Sequence, residues 1–116
     1  MTIEELDTYV WERLPIVNRT VLGRRVCSRV VKRAVRSWPV PVLEQCDDAQ
    51  ARVVGKYMGR SLERQVRHEY GIGILGMLVL GAIVQEVMRV LVQWWLDRQD
   101  NRAAMRLLVA RTAHDD

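Results

Sequence analysis

Apolar side chains recur at threes and fours along most of this chain, the spacing that gathers them on one side of a helix. Ile3, Leu6, Val10, Leu14 and Val17 form the first series. It opens at Thr2-Ile3-Glu4-Glu5, where hydroxyl and glutamate have the spacing of a capping box, and Glu4, Glu5 and Asp7 lie where a helix N-terminus favours negative charge. Pro15 has no amide to donate and clashes with the preceding turn, so a kink or new start is expected near Leu14. From Ile16 to Ser37 the positions Leu22, Val26, Val30, Ala34 and Trp38 advance by four, widened by Cys27, Val31 and Val35. This predicts an amphipathic helix in spite of its β-branched content. Trp38-Pro39-Val40-Pro41 ends it, since alternate prolines favour an extended connector, and a hinge is expected there after a kinked basic region spanning 1–38.

A third helix is expected over 42–70, with Glu44, Asp47 and Asp48 near its start and Cys46, Ala49, Val53, Tyr57, Leu62, Val66 and Tyr70 along one side. Gly55 and Gly59 inside it have a small-x-x-x-small spacing that permits close helix approach, yet each weakens a helix by about 1 kcal/mol. A packing seam and a weak point both remain open.

The stretch GIGILGMLVLGAIV, Gly71 to Val84, has no polar side chain and must be buried in something. Apolar character continues through Val87, Met88, Val90, Leu91, Val92, Trp94, Trp95 and Leu96, with Gln85, Glu86, Arg89 and Gln93 gathered on one side. One long apolar helix is therefore expected over 71–96. From Tyr70 to Leu96 it would run about 40 Å, more than the hydrocarbon core of about 30 Å. Residues 97–116 predict a polar break at Asp100-Asn101 or an uninterrupted helix, then helix over 103–111 with Ala104, Leu107 and Leu108 opposed by Arg102, Arg106 and Arg111. The fold class is all-α, with helix content above about two thirds and no sheet.

Two solvents compete for the apolar helix. A single transmembrane span is favoured by its length, by Tyr70 and Trp94-Trp95 near its ends, and by Lys56, Arg60, Arg64 and Arg67 on its N-terminal flank, which would hold the N-terminal region in the cytoplasm. Glu86 and Arg89 oppose a span unless they pair. The alternative is the central helix of a soluble bundle, which a chain of 116 residues would need partner chains to cover. Either way a homo-oligomer is expected. Gly73, Gly76, Leu80, Gly81, Trp94 and Trp95 are the candidate packing or membrane-segment positions.

Charge adds a second theme. The chain carries 18 Lys and Arg against 14 Asp and Glu, and no acidic residue stands between Glu12 and Glu44. Arg25, Arg29, Lys32, Arg33 and Arg36 line the side opposite the apolar stripe, a candidate surface for anionic lipid or an acidic protein, or for nucleic acid. A solvated basic face is the plain alternative. Arg52, Lys56, Arg60, Arg64 and Arg67 repeat the pattern, diluted by Glu63 and Glu69.

Catalytic chemistry finds no foothold. Gly71, Gly73 and Gly76 spell G-x-G-x-x-G, but a dinucleotide site needs a strand before it, and residues 60–70 look helical. His68-Glu69 lacks the second histidine of a zinc helix, and His114 stands alone in the tail. Ser28, Ser37 and Ser61 have no histidine or aspartate partnership, while Glu63, Glu69 and Glu86 each sit three or four residues from an arginine, as on any helix surface. Cys27 and Cys46 are expected as two buried thiols, not a disulfide. No enzyme, metal, cofactor or small-molecule substrate is expected. The leading expectation is a membrane-anchored protein acting by oligomerisation or docking; the alternative is a cytoplasmic or virion subunit of a larger assembly such as a phage particle, and a holin-like pore former is a third.

Overall fold

The computed structural model describes the backbone of residues 1–70 and 74–114, and the side chains of those residues apart from 70–78 and 114. The described residues form seven helices and no strand, as the periodicity predicts: α1 Ile3–Arg13, α2 Ile16–Leu22, α3 Arg24–Arg36, α4 Val40–Glu44, α5 Asp48–Tyr70, α6 Ile74–Asp97 and α7 Gln99–His114.

Helix boundaries follow local chemistry. Thr2 Oγ1 accepts from the Glu5 amide at 3.2 Å and starts α1. Leu14, in extended backbone, ends it before Pro15. The single helix expected from 16 to 37 is two, because Gly23 adopts φ 80 and ψ 154, a conformation that side chains disfavour. The break turns α2 so that Val17, expected on the apolar side, is 71% exposed. Nor is the Pro39-Pro41 connector extended throughout. Pro41 falls in the first turn of α4, where no amide bond is lost, so one helical turn forms there. The helix expected from 42 begins anew at α5, set by Asp47 and Gln50: Asp47 Oδ1 accepts from the Gln50 amide at 2.8 Å and Gln50 Oε1 from the Asp47 amide at 3.0 Å. This reciprocal pair is a capping box.

The core is built around α6. Helices α5 and α6 run antiparallel: Arg52 Nη2 donates to Gln93 Oε1 at 3.0 Å, Gln85 Nε2 donates to the Lys56 carbonyl at 3.1 Å, and Glu63 lies against Gly81. The side of α5 that meets α6 is Ala51, Gly55, Gly59, Leu62 and Val66, all buried, whereas Val53 and the 65% exposed Tyr57 face out, contrary to expectation. A methyl added at Gly55 would stand 2.7 Å from Val92 Cγ2, and one at Gly59 2.6 Å from Gln85 Nε2. The two glycines form a packing seam.

Helices α1, α2, α3 and α7 close over the rest of α6. From Leu80 to Trp95, every large apolar side chain of α6 is buried. Over that stretch the cover comes from the chain's own helices, and the radius of gyration of 13.6 Å is close to the about 13 Å of a compact domain this size. Trp95 packs at 5.9 Å, centroid to centroid, on Trp38. The α6 helix stops at Arg98, earlier than the expected Asp100-Asn101, and α7 folds back, with Asn101 Nδ2 donating to the Trp94 carbonyl at 2.7 Å and Arg102 Nε to that of Trp95 at 3.3 Å. These side chains satisfy carbonyls that a helix end leaves open. Met105 and Leu108 are the inward residues of α7; Leu107 is exposed.

Candidate anionic-partner surface

Helix α3 divides its side chains by chemistry. Cys27, Val30, Val31, Ala34 and Val35 are buried against α1, α5, α6 and α7. Six cations and no anion share the same helix, so they must crowd onto the remaining surface. Arg24 is withdrawn from this set: its Nη1 donates to Asp7 Oδ1 at 3.0 Å and to the Asp7 carbonyl at 3.3 Å, and its Nη2 donates to Thr8 Oγ1 at 3.2 Å. Ser28 Oγ donates to the other Asp7 oxygen at 2.6 Å. Asp7 is buried, and this knot makes the burial tolerable while fixing the rotation of α3 against α1.

Arg33 is half-buried and pairs with Glu69 of α5; Arg29 lies 3.9 Å from the other oxygen of that carboxylate. Arg25, Arg29, Lys32 and Arg36 are exposed, at the spacing of one outward stripe. Arg25 and Lys32 make no ion pair among the described residues. Beside the stripe, a shallow trough between α3 and α5 is lined by Arg33, Arg36, Ser37, Gln65, His68 and Glu69. The five predicted cations therefore share one helix, four facing solvent and one drawn into a bridge to α5. The sequence reading missed the bridge, whose only signal was that Glu69 follows a run of basic residues.

Of the other singled-out positions, three belong to the interior. Leu80, Trp94 and Trp95 are buried, and Gly81 faces Glu63, whose Oε1 would lie 2.8 Å from an added methyl. Gly73 lies outside the described residues, as do the surroundings of Gly76. Glu86 and Arg89 pair, at 3.1 Å through Nε and 2.8 Å through Nη2. Both cysteines are free. Cys27 is buried, and burial foremost, then the Asp7 carboxylate, pushes its thiol up to about 11 against the opposing influence of Arg24. A thiol held protonated is a poor nucleophile. Cys46, expected buried, is half-buried, with Sγ 3.1 Å from the Val42 carbonyl. Among the described residues no three His, Cys, Asp or Glu side chains converge as a metal site.

The chain matches no protein-family model, and no curated protein or solved structure matches it.

Proposed function

We propose that this protein is a non-enzymatic helical subunit that docks a polyanion, nucleic-acid phosphate first of all, on the outer face of α3. The observation that carries this reading is the division of that helix: its apolar side is buried except for half-buried Val26, and Arg25, Arg29, Lys32 and Arg36 stand on the other side over a length of about 16 Å. Cations aligned in this way neutralise successive phosphates, and the release of counterions makes such binding steeply dependent on salt. The cover over α6 supports a soluble subunit of an assembly over an anchored one.

Fluorescence anisotropy of a labelled DNA duplex at increasing salt tests the reading. Four phosphate contacts predict a logarithmic slope of about −3.6, and Arg25→Glu with Lys32→Glu should flatten it by about two units without unfolding the protein. A slope near zero, or one that the double variant leaves unchanged, would reduce the stripe to solvated surface.

A membrane-anchored or holin-like role is the second reading. It is favoured by Val79–Asp97, 19 residues with mean hydropathy 1.3, although 56% of that window is buried inside the chain's own bundle. To span a bilayer, α6 would have to exchange those contacts for lipid.

A further inference from the structure

Helix α3 carries no acid of its own, yet its basic face meets the Glu69 carboxylate, which reaches it from the last turn of α5. The two Glu69 oxygens serve two arginines: one accepts from Arg33 Nη2, and the other lies 3.9 Å from Arg29 Nη1. Those arginines stand one turn apart on α3. A carboxylate shared in this way sits where a phosphate would, because both anions turn paired oxygens toward guanidinium donors. Gln65 and His68, exposed on α5, add donors to the other wall of the same trough.

Glu69 is a replaceable occupant. Its side chain is 37% exposed and that of Arg33 28%, and an ion pair so open to water holds weakly. A duplex already seated on Arg25, Arg29, Lys32 and Arg36 presents its next phosphate to the trough at high effective concentration, an advantage that a lone anion lacks. Building on the polyanion reading of α3, we propose that the trough is a further phosphate position, which Glu69 fills in the free protein and leaves when a backbone phosphate of the nucleic acid takes its place on Arg33. Glu69 stays beside the duplex with its charge, so the net neutralisation remains that of four cations although Arg33 engages as well. The glutamate thereby holds affinity and salt dependence below what the cations of α3 could reach.

The test repeats the duplex titration against salt with the full chain and its variants. Glu69→Gln should tighten binding about fivefold, since an exposed ion pair is all that it removes, and should steepen the slope from about −3.6 to about −4.5. Adding Arg33→Gln to that variant should return the slope to about −3.6. Glu86→Gln, the same change of charge on α6, should leave the slope as in the wild type. The displacement itself is read from the 13C carboxyl NMR signal of Glu69, which should shift when the wild type is saturated with duplex. An unmoved Glu69 signal, a Glu69→Gln slope equal to that of the wild type, or an equal gain from Glu86→Gln would each overturn this inference while leaving a wild-type slope of about −3.6 to support the docking reading. A wild-type slope near zero would overturn both.

Discussion

Helices α3 and α6 cross in the same core and solve opposite problems. The α3 helix has too much charge to be surrounded, so it buries one side and gives the other to solvent. With few charges, α6 buries every large apolar side chain from Leu80 to Trp95 and leaves a narrow polar side, where its Glu86 and Arg89 pair with each other. The difference teaches which helix can be read as an interface. A helix whose large apolar side chains are buried has little apolar surface to offer until the bundle opens, whereas α3 displays Arg25 and Lys32, exposed and without an ion pair among the described residues.

The comparison breaks most plainly if charge is moved between the two helices. Val87 has no exposed surface, and Val87→Arg should strand a charge in the core at a cost of more than about 4 kcal/mol, abolishing the cooperative thermal transition seen by circular dichroism. The reversal Lys32→Glu on α3 should move stability by less than about 0.5 kcal/mol. Equal sensitivity at the two positions would mean that α3 and α6 do not differ in burial.

The seam beside α6 allows a finer test. At Gly55 an added methyl meets Val92, a stiff β-branched side chain, so Gly55→Ala should destabilise by about 1–3 kcal/mol, with partial rescue by Val92→Ala. At Gly81 the added methyl meets only the end of the flexible Glu63 side chain, and Gly81→Ala should cost nothing or gain up to about 1 kcal/mol of helix propensity. Chemical denaturation of the three variants ranks them. A Gly55→Ala protein as stable as the wild type would show that the helices do not approach so closely.

Much of this was legible in advance. The capping hydroxyl of Thr2, the divided α3, the Glu86–Arg89 pair and the long apolar helix all follow from spacing, because each depends on residues within a few turns. The inward face of α5 did not follow. Reading by hydrophobicity selects Val53 and Tyr57, but close approach to α6 selects Ala51, Gly55 and Gly59, whose value lies in having little or no side chain. Gly23 was passed over for a related reason: whether a glycine packs, weakens or breaks a helix depends on a backbone angle that its letter does not show. Asp47-Asp48-Ala49-Gln50 was a readable start signal that the apolar count overrode. For the site, the stripe was legible but the Glu69 bridge was not, since α3 and α5 meet only in three dimensions.

The smallest effect concerns the inner side of α3. Cys27 should resist alkylation at neutral pH while half-buried Cys46 reacts. The folded state holds the Cys27 proton to higher pH than the unfolded chain does, so it binds more protons between 9.0 and about 11. Its contribution to stability is therefore complete below 9.0 and declines as pH rises toward about 11, and Cys27→Ala should flatten that part of the pH profile. Identical profiles, together with rapid labelling of Cys27, would place the thiol in water.

The central claim is that α6 buries its large apolar side chains from Leu80 to Trp95 inside its own chain, which leaves the charged side of α3 as the proposed working surface. The most direct measurement is extraction of membranes from cells expressing the protein, first with alkaline carbonate and then with detergent. The account predicts that the protein is in the cytosolic fraction or is stripped into the carbonate supernatant, as a bundle held at most by its cations. Retention in the pellet until detergent is added would place α6 in lipid and contradict the account.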